Sequence, residues 1–265
     1  MRLFFREEGN SDKVVIIIHG LFGSSDNWIT IGRKLAATHH VYMIDQRNHG
    51  HSPHCETHSY EDMKEDLVIF CKEHNICKAT FIGHSMGGKT AMAFAADYPE
   101  LIENLVVIDI APKNYLLVEE KRQHQLIIQT LRELNGNYAD RKEIAAFINN
   151  RINDLDVTLF ILKSIYRDKK TGKFTCRLNL DVLDKALNNI IGDIDENWFT
   201  GKLSGSYPVL FIRGGKSPYI SDEDISMIRK IYTNPQIETI PHAGHWLHTE
   251  QPKQFLEVLQ DFICS

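Results

Sequence analysis

The chain has 265 residues, a formal net charge of −5, 43% hydrophobic and 25% charged residues. That length and apolar share suit one α/β domain carrying an insertion, and they exclude wholesale disorder. A mildly acidic chain with no Lys/Arg-rich helix excludes nucleic acid as the expected partner, and no apolar run reaches the roughly 20 residues that span a bilayer.

The N-terminal "MRLFFREEGNSDK" lacks the apolar stretch of a signal peptide, so a cytoplasmic location without a stable membrane anchor is expected. "RLFFRE" reads as a short edge strand. "KVVIIIHG" and "HVYMID" are β-branched apolar runs of the kind that form buried parallel strands, with helical spacing in "NWITIGRKLAA" between them. "SYEDMKEDLVIFCKEHN" starts on a Ser cap and continues as an amphipathic helix. "ATFIGH" is a strand, "MGGKTAMAFAADYP" a helix, and "NLVVIDIAP" a strand stopped by Pro112. From 113 to 200 the character changes: "LLVEEKRQHQLIIQTLRELN", "RKEIAAFINNRI", "DVTLFILKSIYRD" and "NLDVLDKALNNII" all read as helix, with "KKTGKF" as a turn. "YPVLFIRGG" returns to strand, "QIETIPHAGHW" supplies a last strand and loop, and "PKQFLEVLQDFI" closes with a helix. Cysteines at 55, 71, 77, 176 and 264 are odd in number and contain no C-x-x-C pair, so reduced thiols are expected, with neither a disulfide framework nor a zinc knuckle and no metal.

The pattern predicts an α/β fold: a mostly parallel central sheet flanked by helices, with a helical cap inserted after the strand ending at Asp109. The core is expected over 1–112 and 201–265, the cap over 113–200. Sites in such sheets lie outside the carboxyl ends of the strands.

Gly83-His84-Ser85-Met86-Gly87 fits G-x-S-x-G between a predicted strand and a predicted helix, which is the context of an α/β-hydrolase nucleophile elbow. Side chains at Gly83 and Gly87 would clash in so sharp a turn, and the turn exposes the Ser85 hydroxyl at a helix N-terminus. A serine nucleophile needs a base. In the α/β-hydrolase order the histidine comes last, and "PHAGHWLHTEQP" offers His245, preferred over His242 and His248, which read as loop or surface residues. The oxyanion donors are expected to be the amides of Met86 and Leu21, with Phe22 the nearby alternative. His19 reads as a backbone-pinning residue. Phe22 and Trp246, with Leu117, Phe160 and Leu162, are candidates for the pocket lining.

The acid is not where a G-x-x-D pattern would put it. Counting from Gly214, that place holds Ser217, which carries no charge for an imidazolium. Asp109, at the end of the preceding strand, is the leading candidate; Asp222 and the carboxylates of the helical block are the alternatives.

"HGLFGSSDNW", "DQRNHGHSP", "ATFIGHSMGGKTAM", "VVIDIAP", "GGKSPYI" and "AGHWLHTEQP" together resemble the YbfF-type esterases of the α/β-hydrolase superfamily. The resemblance lies in both core halves, while the cap contributes little and looks longer and more polar. It implies the α/β-hydrolase fold, an acid at Asp109, Ser217 beside the histidine as a fourth member, and hydrolysis of short-to-medium acyl esters or acyl-CoA thioesters without a cofactor. "DQRNHGHS" is similar to the superfamily's D-x-R-G-x-G-x-S turn with Asn48 in place of Gly. Asn tolerates a left-handed backbone, so Asp45 and Arg47 are read as structural. Two other functions are carried beside this one: a small-molecule receptor on a hydrolase shell, and a lyase or carbon–carbon hydrolase on the same fold.

Overall fold

The computed structural model describes residues 1–116, 118–134, 138, 140–192 and 207–264. Its strands in chain order begin with β1 (Phe5–Glu8), β2 (Val14–Ile18), β3 (His40–Ile44), β4 (Ala79–His84) and β5 (Ile102–Ile108). Two short strands follow, β6 (Ile165–Arg167) and β7 (Phe174–Cys176), then β8 (Val209–Gly214) and β9 (Gln236–Ile240). Among the described residues, seven strands form one sheet in the order β1-β3-β2-β4-β5-β8-β9. β1 pairs antiparallel with β3, and the other neighbours run parallel.

Strand periodicity divides the sheet's side chains between two faces. Val15 and Ile17 of β2 point to the side where α1 (Ile29–Leu35) and α10 (Pro252–Ile263) pack through Trp28, Ile31, Phe255 and Leu259. Ile16 and Ile18 point to the other, covered by α2 (Tyr60–Glu73) and α3 (Met86–Asp97) through Leu67, Phe70, Met92 and Phe94. Helices on both faces explain why β2 is apolar throughout rather than alternating and why β4 is buried along its whole length. The start of α2 is the expected cap: Ser59 accepts from the Asp62 amide and Asp62 reaches back to Ser59 in a capping box.

Between β5 and β8 lie α4 (Val118–Arg132), α5 (Arg141–Ile152), α6 (Leu155–Leu162), the β6–β7 pair and α7 (Leu180–Ile191). The boundary expected at residue 200 lies outside the described residues, as does Leu117. One expectation is corrected here. "DVTLFILKSIYRD" is not helical to its end: α6 stops at Leu162, and Ile165–Arg167 pairs antiparallel with Phe174–Cys176. The turn between them is stabilised by Asp168 Oδ1, which accepts from the amides of Lys170 and Thr171, and by Gly172 at φ 69°. The β-branched and aromatic Ile165 and Tyr166 gain more from this ladder than from another helical turn.

A helix the sequence reading passed over, α8 (Asp222–Ile231), follows β8. Its signals were present: Ser221 caps Asp224 in a second capping box, and three acidic residues occupy its first turn. A short helix, α9 (Leu247–Glu250), precedes α10.

The sheet topology sets the site. From β2 the chain steps to β3 on one side and then crosses to β4 on the other, so the ends of β2 and β4 flank a topological switch point. The register aligns Ile18 with Gly83, His84 with Ile108, and Ile108 with Ile212. The loops after β2, β4, β5 and β8 therefore emerge side by side.

Candidate active site

Ser85 sits between β4 and α3 at φ 53° and ψ −120°, a conformation that side chains other than glycine seldom adopt. Its amide donates to Ile108 O at 3.0 Å, which ties the turn to β5. The flanking glycines are required by close approach: a Cβ on Gly83 would lie 2.3 Å from Gly87 O, and one on Gly87 2.3 Å from Ile18 O. Gly20 in the loop after β2 is close as well, though less tight, since its Cβ would come within 3.1 Å of Ser85 Cβ. The β2 loop is thus pressed against the serine.

That loop is fixed by neutral histidines. His19 Nδ1–H donates to Gly20 O at 2.8 Å and its Nε2 accepts from the Gln46 amide at 3.0 Å, as a structural residue should. His49 Nδ1–H donates to Arg47 O at 2.9 Å and its Nε2 accepts from the Phe22 amide at 3.2 Å. Burial lowers the pKa of both rings, for His49 well below the usual histidine range. The Phe22 N–H, the alternative oxyanion donor, is engaged by His49. The turn behind is as read: Asp45 accepts from the Ser25 and His51 amides, Asn48 is at φ 63°, and Arg47 pairs with buried Asp66 at 2.7 Å.

Asp109 lies immediately beyond β5, fully buried, at φ 50°. Its Oδ1 accepts from the Gly214 amide at 2.9 Å, and its Oδ2 accepts from His245 Nδ1 at 2.7 Å. Ser217 Oγ also donates to Oδ2. The Ser217 hydroxyl and the His245 ring thus donate to the same carboxylate oxygen, which brings Ser217 into the Asp109–His245 cluster. Asp222, the alternative acid, is at the start of α8 and pairs with Arg213 at 2.7 Å, away from this cluster.

His245 follows β9 in a loop held on both sides. Glu250 accepts from the Gly244 amide at 2.7 Å and from the Trp246 amide at 3.1 Å. His84 Nε2–H donates to His245 O at 2.9 Å. Burial keeps the His84 ring neutral, its pKa well below the usual histidine value. Tyr219 stacks on the imidazole, centroids 4.1 Å apart and planes 23° off parallel. Glu250, His84 and Tyr219 were not singled out from sequence; for Glu250 the only signal is its spacing from Gly244 and Trp246.

Because Asp109 is surrounded by donors, His245 Nδ1 carries the proton and Nε2 keeps its lone pair. Ser85 and His245 line the same cavity of about 200 Å³, together with Gly20, Phe22, Phe160 and Trp246. No direct hydrogen bond joins the serine and histidine side chains among the described residues, and such contacts commonly close only with substrate in place. A second, much smaller cavity meets the first at Ser85 and is lined by Met86, Ile110, Tyr115 and Ile190. Leu162 lines neither cavity and is buried in the core. His242 is exposed, as expected of a loop residue, but His248 is not a surface residue: it is buried in α9 and stacked on Trp28 at 4.0 Å. Burial holds its pKa at about 3. No group of three or more His, Cys, Asp or Glu side chains suited to a metal occurs among the described residues. No helix among them is long and apolar enough to cross a membrane.

A seven-stranded, mostly parallel sheet with a strained serine at the end of β4 and an Asp–His pair beside it defines the α/β-hydrolase class. The profile of the α/β-hydrolase fold family matches residues 13–252, and the chain belongs to that family. It is 34% identical to esterase YbfF of Escherichia coli, over 96% of this chain and 94% of that protein. It is 30% identical to the sn-1-specific diacylglycerol lipase ABHD11 of Mus musculus, over 94% of this chain and 80% of that one. A solved marine microorganism esterase superposes with a TM-score of 0.91 at 42% identity, covering 98% of this chain and 99% of that structure.

Proposed function

We propose that the protein is a serine carboxylic-ester hydrolase, also competent toward acyl thioesters, that works through an acyl-enzyme on Ser85. The observation that carries this reading is the pairing of a strained Ser85 with His245 in one cavity, the imidazole being oriented by Asp109 at 2.7 Å. Names borne by relatives, an esterase and a lipase, support the same chemistry.

In the first half-reaction Ser85 Oγ gives its proton to His245 Nε2 and forms a bond to the acyl carbon. The carbonyl oxygen takes the negative charge against the amides of Leu21 and Met86, the latter at the N-terminus of α3. The bond to the leaving group then breaks as His245 returns the proton to the departing oxygen or sulfur. Water repeats the sequence and releases the acid. Asp109 keeps the imidazole in the required tautomer and stabilises its cation, and Ser217 holds Asp109 in place. Cavity-lining residues from α4 and α6, among them Ile127 and Phe160, support reading the insertion as a cap over the site.

The test is labelling with a fluorophosphonate followed by a panel of esters and acyl-CoA thioesters. Wild type should be labelled on Ser85 and turn over p-nitrophenyl acetate, and Ser85→Ala should do neither. A protein that binds such compounds without label or turnover would be a receptor. Turnover of a carbon–carbon substrate with no acyl-enzyme would make it a lyase.

A further inference from the structure

The segment Arg47-Asn48-His49 lies behind the loop after β2 and takes no part in the steps above. In that loop the Gly23 amide donates to Gly20 O at 3.1 Å and closes a turn on Leu21 and Phe22. Phe22 is at φ 64° while Leu21 lies outside the positive-φ region, which makes the turn type II. Its third position suits glycine, and a buried phenylalanine there is strained. The relaxed alternative is a type I turn, in which the peptide between Leu21 and Phe22 is reversed. His49 Nε2 opposes that reversal, because it accepts the Phe22 N–H at 3.2 Å. The ring is itself set, with Nδ1–H on Arg47 O at 2.9 Å and the His19 ring 5.1 Å away.

Asn48, its neighbour, faces the helical insertion. It is buried at φ 63°, a backbone that glycine adopts more easily, yet both polar atoms of its side chain are used. Oδ1 accepts from the Cys55 amide at 2.9 Å and from Asn179 Nδ2 at 3.0 Å, and Nδ2 donates to Thr57 O at 3.0 Å. Asn48 O accepts from the Asn179 amide at 3.0 Å. Asn179 immediately precedes α7, a position from which an asparagine side chain ordinarily caps its own helix. It makes no such cap here, and its Nδ2 goes to Asn48 and to Cys55 O at 3.2 Å instead. Asn48 Nδ2 also approaches His58 Nδ1 at 3.4 Å, and His58 Nε2 meets Met86 Sδ at 3.4 Å. One histidine therefore leads from Asn48 to the turn that carries Leu21, and another leads to Met86. Those are the two residues whose amides are assigned to the oxyanion.

We propose that Asn48 and His49 are positioning residues that couple the seating of α7 to the oxyanion loop, with Asn179 as the contact on the insertion. An insertion seated on Asn48 holds His49 in place, and His49 holds the turn in the form that presents the Leu21 amide. The oxyanion forms only in the transition state, so the coupling acts on kcat and not on KM. This rests on the serine-hydrolase reading and deepens it by naming the residues that set its oxyanion site.

The experiment uses the full chain, the kinetics of p-nitrophenyl acetate hydrolysis, and inhibition by 2,2,2-trifluoroacetophenone, whose adduct with a serine carries an oxyanion. Asn179→Asp keeps the size of the side chain and can cap α7, but it cannot donate to Asn48. It should lower kcat about tenfold, leave KM within about twofold, and leave the urea midpoint unchanged or raised. Asn179→Ser, an uncharged capping residue too short for the same contact, should behave alike. His49→Phe keeps a ring and removes the acceptor. Its kcat should fall on the order of 10²-fold, the low end for loss of one oxyanion donor, and its affinity for the ketone by the same factor. His49→Gln, which retains an acceptor, should recover most of that loss. The double variant Asn179→Asp, His49→Phe should be no slower than His49→Phe alone, because both act along one path. Wild-type kcat in both Asn179 variants, losses that follow unfolding free energy, or additive losses in the double variant would each overturn the coupling. Should His49→Phe not fold, kcat and ketone affinity in the Asn179 variants decide alone. In all these cases a wild type that hydrolyses the ester and is labelled on Ser85 keeps the serine-hydrolase reading. A wild type that does neither overturns that reading and the coupling with it.

Discussion

Replacing Asp109 by asparagine removes one charge and almost no volume. The carboxylate accepts three hydrogen bonds: from Gly214 N–H at 2.9 Å, from His245 Nδ1–H at 2.7 Å and from Ser217 Oγ–H. An amide cannot satisfy this set. With its oxygen on the Gly214 amide, its NH₂ faces His245 Nδ1 and forces the ring proton onto Nε2, where it cannot accept from Ser85. With its oxygen on Nδ1–H, its NH₂ opposes the Gly214 N–H, at about 1–3 kcal/mol for the unsatisfied pair. The first arrangement is the cheaper, so the wrong tautomer prevails and the imidazolium loses its counter-charge. Other hydrolytic triads lose on the order of 10⁴ in kcat on this change, about 5 kcal/mol at ~1.4 kcal/mol per tenfold. The assay is steady-state hydrolysis of p-nitrophenyl acetate together with the rate of fluorophosphonate labelling, on a variant shown to be folded by circular dichroism. A folded Asp109→Asn protein that loses less than tenfold in kcat would refute the assignment of the acid.

Ser217→Ala leaves Asp109 with two of its three donors, so a loss of about tenfold in kcat is expected, near ~1.5 kcal/mol, the low end for one hydrogen bond to a charged group. A loss equal to that of Asp109→Asn would instead place Ser217 in the reaction. Ser85→Gly should abolish turnover yet stabilise the fold by about 1 kcal/mol in urea unfolding, because glycine relieves the backbone at φ 53°. His248 has no hydrogen-bond partner on either ring nitrogen among the described residues, and burial holds its pKa at about 3 against 6.5 ordinarily. Below pH 6.5 the unfolded chain takes up a proton the folded one refuses, so stability falls by about 1.4 kcal/mol per pH unit down to about pH 3 from this group. His248→Phe keeps the stack on Trp28 and removes that slope. Its gain in unfolding free energy should grow between pH 8 and pH 5, and an equal difference at both would disprove the cause.

Much of the site can be read along the chain because its signals are local. Two glycines and a serine between a β-branched run and a helix form a turn whatever lies around them. Asp109 is marked by an apolar strand that runs into a carboxylate, while the turn after the later strand holds Ser217 where an acid is expected. The same local reasoning fails when two choices depend on distant partners. Ile165–Arg167 has enough helical character to continue α6, and only pairing with Phe174–Cys176 makes it a strand. His248 looks like a surface residue because nothing in "HWLHTE" says that Trp28 will cover it. Helix α8 was within reach, since its capping box is a sequence pattern.

The sequence by itself determined the succession of the seven sheet strands, the strained turn at Ser85 and the family of the chain, because each rests on residues close together or on motifs of fixed spacing. The tertiary structure alone decided that the hydroxyl of Ser217 rests on Asp109, that His84 and Glu250 hold the His245 loop, and that two unequal cavities meet at the serine. Those relations depend on the register of β5 with β8 and on which helix faces pack over the sheet. Both are settled by the joint packing of segments more than 100 residues apart, as between Asp109 and Gly214, which no local pattern encodes.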